Sequence, residues 1–129
     1  MPTFAVDLDG TLAPWDKNGN YSKEDFEPPY PGAKDFLRAL SSIGGVIIFT
    51  ARCNEDLHGG EPIFLQERRV ENYLKLHGLP FDKVWVDKGK PVADVYFDDR
   101  GFRLRPADAR LPEEAYIEAL SKIKSLLML

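Results

Sequence analysis

Four short runs of strand character, Thr3–Leu8, Val46–Thr50, Lys83–Val86 and Val92–Phe97, alternate with stretches of helical period, and such an alternation folds as an α/β layer sandwich. The run Val46-Ile47-Ile48-Phe49 is continuously apolar, as expected of a strand inside a mainly parallel sheet, and the crossovers should be right-handed. Pro31 opens the first helix, with Phe36, Leu37, Leu40 and Ile43 on one face, and Gly44-Gly45 stops it. A second helix is predicted from about Glu61-Pro62, with Phe64, Leu65, Val70, Tyr73, Leu74 and Leu76 as core candidates and Gly78 as its cap. Phe102–Arg105 could add an edge strand. Pro112-Glu113-Glu114 starts a last helix, whose apolar stripe is Ile117, Leu120, Ile123 and Leu127.

At 129 residues the chain is sized for one domain, 1–129, with a core but no room for two. The segment at about 12–30 has no period and carries Pro14, Gly19, Pro28 and Pro29, so it reads as a long flap, and loops of that length are usually functional. Seventeen basic against 21 acidic residues leave a net charge of −4, which argues against a nucleic-acid partner held through its phosphates. No apolar run approaches the ~20 residues that cross a bilayer, and the first residues lack signal-peptide character. With Cys53 as the single cysteine, an intramolecular disulfide and a cysteine-cluster metal site are excluded. A cytoplasmic location is the expectation.

In a parallel α/β sheet the ligand site lies beyond the carboxyl ends of the strands. Those ends carry Asp7 and Asp9, then Thr50 and Arg52, then Lys88 and Lys90, then Asp98, Asp99 and Arg100. Carboxylates from two strands meeting at one rim repel unless a cation lies between them, and an all-oxygen pocket suits Mg²⁺. Thr and Lys beside it are donors for phosphate oxygens. The pattern points to phosphoryl chemistry.

The residues Asp7-Leu8-Asp9-Gly10-Thr11 resemble the first motif of the haloacid dehalogenase superfamily, a strand followed by Asp-x-Asp-Gly-Thr, which would arise by chance in only ~10⁻³ of chains this long. Thr50 looks like that superfamily's second motif, Lys90 in Gly89-Lys90-Pro91 like its third, and Asp98-Asp99 after Val95-Tyr96-Phe97 like its fourth, all in the superfamily's order. The resemblance covers Thr3 to Arg100. It implies a three-layer sandwich around a Rossmann-like sheet, and a Mg²⁺-dependent phosphatase. Asp7 would attack phosphorus to form an aspartyl phosphate. Asp9 would act as general acid and then base. Thr50 and Lys90 would hold the transferring oxygens. Phosphate would lie among Asp7, Asp9, Gly10, Thr50, Ala51, Arg52 and Lys90, and Mg²⁺ would be held by Asp7, the Asp9 carbonyl and Asp98, with Asp99 as an alternative or additional ligand. Lys88 is the alternative to Lys90. Superfamily members that cleave carbon–halogen bonds lack the second aspartate, so Asp9 favours phosphoryl transfer.

Superfamily members usually take substrate choice from a cap domain, and neither interval between these motifs has room for one. The cap is therefore minimal. A phosphorylated small molecule, or the terminal phosphate of a larger substrate, fits this opening, and a homo-oligomer whose partner roofs the site is compatible with it. Arg52 and Arg100 could each clamp an anionic substrate group or make a rim ion pair. Trp15, Tyr21, Phe26 and Tyr30 of the flap could stack on substrate or pin the flap to the core. His58, His77 and Cys53 read as structural, and Arg103, Arg105 and Arg110 as a solvated basic face. The rivals are a receiver-like phosphoacceptor domain, whose acidic pair, acceptor, Thr and Lys come in a different order, and a domain that binds phosphate without catalysis. Gly-x4-Gly-Lys-Ser/Thr is absent, which excludes a P-loop kinase.

Overall fold

The computed structural model describes residues 1–14, 26–53, 62–87, 89–98, 102–104 and 106–126. In chain order the elements are β1 (Thr3–Asp7), α1 (Ala33–Ile43), β2 (Gly45–Phe49), a 3₁₀ turn (Ala51–Cys53), α2 (Ile63–Leu76), β3 (Lys83–Val84), β4 (Val95–Asp98), β5 (Phe102–Arg103), a second 3₁₀ turn (Pro106–Asp108) and α3 (Pro112–Leu126). The sheet runs in the order β3-β2-β1-β4-β5, and every pairing among these strands is parallel. The fold is thus α/β with a Rossmann-like parallel sheet, consistent with the expected three-layer sandwich.

Burial follows the two-residue period of the strands. Phe4, Val6, Val46, Ile48 and Phe97 are fully buried, whereas Ile47, Phe49 and Tyr96, of opposite parity, are half-buried. The Phe36 ring of α1 meets Phe97 edge-on at 5.2 Å and lies 5.1 Å from the ring of Tyr116 on α3, which joins these two helices to the well-covered face. Ahead of β4 the Tyr96 hydroxyl donates to the Pro91 carbonyl.

Strand and helix limits have local causes. β1 stops one residue earlier than the apolar run, because the amides of Thr11, Leu12 and Ala13 all turn back to the Leu8 carbonyl. β3 stops at Val84 and β4 begins only at Val95, where the Asp94 carboxylate accepts the Thr3 amide at 2.7 Å. On α2 the buried residues are Gln66, Val70, Tyr73 and Leu74, so Phe64 and Leu76, expected in the core, are exposed instead. On α3 they are Tyr116, Ala119 and Ile123; Ile117 is exposed, and Leu127 lies outside the described residues. A helix buries a narrow arc, and apolar residues beyond that arc stay at the surface.

Gly44 shows how closely the first crossover is packed. Its φ of −172° suits any residue, but a Cβ there would lie 2.2 Å from the Pro2 carbonyl oxygen, which also accepts the Gly45 amide. Gly44→Ala is expected to lower the stability by about 1–3 kcal/mol, read as a reduced urea midpoint at unchanged slope.

Candidate active site

β1 ends in a tight turn that fixes everything after it. Gly10 has φ 84°, a left-handed conformation that side chains disfavour, and its amide reaches the Ala13 carbonyl at 2.7 Å. The turn is anchored from α3, where the Tyr116 hydroxyl donates to the Thr11 carbonyl at 2.6 Å. Asp9, buried beside this turn, is thereby set just above the end of the strand.

The parallel register assembles the remaining groups. Val6 pairs with Phe97, so one step further Asp7 faces Asp98 across strands about 4.8 Å apart, with both side chains on the same face of the sheet. Asp7 also pairs with Phe49, which places Thr50 one residue beyond the same level on β2. Asp7, Asp9, Thr50 and Asp98 therefore converge at one rim, and Asp9, Thr50 and Asp98 are all buried. Two carboxylates at that separation need positive charge nearby. Lys90 supplies some: its ammonium donates to Asp98 Oδ2 at 3.2 Å and lies 5.9 and 5.8 Å from the ring centres of Phe49 and Tyr96. Its side chain remains 61% exposed, so it can also reach outward to an anion.

Arg52 makes the ion pair that was one of its two expected roles, and makes it buried rather than solvated: it is 1% exposed, with Nε on Asp9 Oδ2 and Nη2 on Asp9 Oδ1, each at 2.9 Å. This fork fixes the plane of the Asp9 carboxylate. The 3₁₀ turn explains it: the Arg52 amide donates to Thr50 Oγ1 at 3.2 Å, which folds the chain back toward β1. Phe26 covers the guanidinium, with its ring centre 4.2 Å from Cζ, and stacks on Tyr73 at 4.6 Å. The flap aromatics described here, Phe26 and Tyr30, thus pack against the core. The only sequence signal for this arrangement was an arginine two residues beyond a strand-end threonine.

Ala51 lies in the same turn. His77 follows α2, with its ring 4.7 Å from that of Tyr73. Arg110 is exposed and paired with Glu114, in keeping with a solvated face. Lys88, Asp99, Arg100, Arg105, Trp15, Tyr21 and His58 lie outside the described residues.

The donors available to a metal are oxygens. Among the described residues no group of three or more His, Cys, Asp or Glu could hold an ion by side chains alone. Asp7 and Asp98 offer two carboxylates beside main-chain carbonyls, and Mg²⁺ is typically bound by one or two carboxylates plus water and substrate phosphate. The donor set fits that ion and not a soft metal.

Cys53, next to Arg52, is buried, and its thiol is pushed up to about 12, chiefly by burial and then by the negative charge of Glu67, with Arg52 opposing. The native thiol should resist iodoacetamide at neutral pH and react only after denaturation. An unfolded thiol ionises near 9.0, so its contribution to stability is intact below pH 9 and declines between pH 9 and about 12.

Neither family models nor curated proteins gave a match to this chain. Among solved structures it is similar to a crystal structure of a structural-genomics target from Vibrio cholerae, at 27% identity and a TM-score of 0.54, covering 96% of this chain and 100% of that one.

Proposed function

We propose that the protein is a Mg²⁺-dependent phosphomonoester hydrolase of haloacid dehalogenase type. The observation that carries this reading is the register that sets Asp7 opposite Asp98, with Thr50 at the same rim and Asp9 held above them. Asp7 is the nucleophile: its carboxylate bonds to phosphorus as the ester oxygen leaves, giving an aspartyl phosphate that water then cleaves. Asp9 gives the leaving oxygen its proton and takes one from that water. The Arg52 fork keeps the Asp9 carboxylate in one orientation for both steps, so Arg52 is a positioning residue. Thr50 and Lys90 bind the transferring oxygens as charge builds on them. Asp7, Asp98 and the Asp9 carbonyl would hold Mg²⁺, which when bound offsets the repulsion between anionic nucleophile and anionic phosphate.

The test is multiple-turnover release of phosphate from 4-nitrophenyl phosphate. Turnover that requires Mg²⁺ and stops with EDTA is expected. A single stoichiometric phosphorylation without turnover would favour the receiver-like reading, and no reaction would favour phosphate binding alone.

A further inference from the structure

Residues 26–30, the end of the flap, form a strut held at two points. Glu27 and Pro28 each precede a proline, which restricts their backbone to extended forms, and Pro28 and Pro29 have no amide to donate. The Tyr30 amide ties one point to the Leu12 carbonyl at 2.9 Å, within the turn that follows β1. At the other, the Tyr73 hydroxyl of α2 donates to the Glu27 carbonyl at 2.7 Å. That bond sets the neighbouring Phe26 ring, which stacks on Tyr73 at 4.6 Å and covers the Arg52 guanidinium, its centre 4.2 Å from Cζ. Arg52 in turn forks Asp9. Tyr73, Arg52 and Asp9 are all buried, whereas Phe26 is half-buried, so its ring is a cover over the guanidinium. Burial, and then the charge of Asp9, pushes the Tyr73 hydroxyl above the ordinary tyrosine range, so it stays a neutral donor at neutral and mildly alkaline pH.

We propose that Tyr73 is a positioning residue for the acid–base step: through the Glu27 carbonyl and the Phe26 ring it keeps the guanidinium covered, so that Nε and Nη2 stay on Asp9 instead of on water. The inference rests on the hydrolase reading above. Asp9 delivers a proton to the ester oxygen, and its orientation matters in proportion to how much that oxygen needs the proton. An alkyl ester has a strongly basic oxygen that leaves as the alcohol, whereas 4-nitrophenoxide leaves readily as the anion. Loosening the clamp should therefore be felt by the alkyl ester and hardly by 4-nitrophenyl phosphate. A side chain that merely supports the fold would lower both rates together, since it changes only the fraction of folded enzyme.

Two variants and two readouts test this. Tyr73→Phe keeps the ring and deletes the hydroxyl; Phe26→Leu keeps an apolar residue and removes the ring face. Each should lower kcat/KM for glycerol 2-phosphate about tenfold and that for 4-nitrophenyl phosphate less than about twofold, the first being part of the larger factor that general acid catalysis supplies. The second readout is independent of turnover: the Arg52 Nε–H proton, followed by NMR, should exchange slowly with solvent in the parent and several-fold faster in both variants. An equal fall for both esters, or none, overturns the assignment and leaves the hydrolase standing. Unchanged exchange in both variants overturns the cover on its own. If the parent hydrolyses neither ester, the hydrolase reading falls, and faster exchange in the variants would then leave Tyr73 and Phe26 as the clamp on the buried pair alone.

Discussion

Asp7→Asn is expected to abolish phosphate release, lowering kcat by at least about 10³-fold, because an amide cannot form the acyl phosphate and loss of a covalent nucleophile is among the largest single-residue effects on an enzyme. The variant should remain folded. In the parent, Asp7 Oδ1 accepts the Leu8 amide at 2.8 Å, and an asparagine Oδ1 can accept the same bond. Relief of the repulsion between Asp7 and Asp98 should make the variant no less stable. An unchanged thermal midpoint together with lost turnover would place the effect in chemistry; retained turnover would move the nucleophile elsewhere.

The largest stability effect is expected at Arg52. In Arg52→Met the Asp9 carboxylate, 5% exposed, loses both guanidinium donors while remaining in a pocket made for a charge pair. Removing one partner of a buried pair typically costs about 3–5 kcal/mol, most of it the penalty of the charge left behind. The Phe26 ring would also lose its cation. Denaturant unfolding should show the loss as a lower midpoint at unchanged slope, and adding Asp9→Leu should restore much of it, since apolar replacement of both partners is often neutral. A single variant as stable as the parent would mean that water reaches Asp9 freely.

How much of this was legible in the sequence depended on whether position along the chain was enough. The sheet was, because its strands are apolar runs that end in polar residues, and because parallel pairing brings all such ends to one rim. Asp7, Thr50 and Asp98 could therefore be grouped from their places at strand ends, before any contact was known. Arg52 could not. Its partner lies 43 residues away, and only the 3₁₀ turn directs the side chain inward instead of to solvent. Phe64 and Leu76 mislead for the opposite reason: hydrophobicity marks them as core, yet the arc of α2 that faces the interior passes through Gln66, Val70, Tyr73 and Leu74.

The most direct test of the central claim is to trap the covalent intermediate. Protein mixed with Mg²⁺ and 4-nitrophenyl phosphate, quenched in acid during turnover and digested, should yield one phosphorylated peptide containing Asp7, with the label lost in mild alkali as expected of an acyl phosphate and absent from Asp7→Asn. Steady turnover with no acid-stable label, or label carried by any residue other than Asp7, would contradict the account.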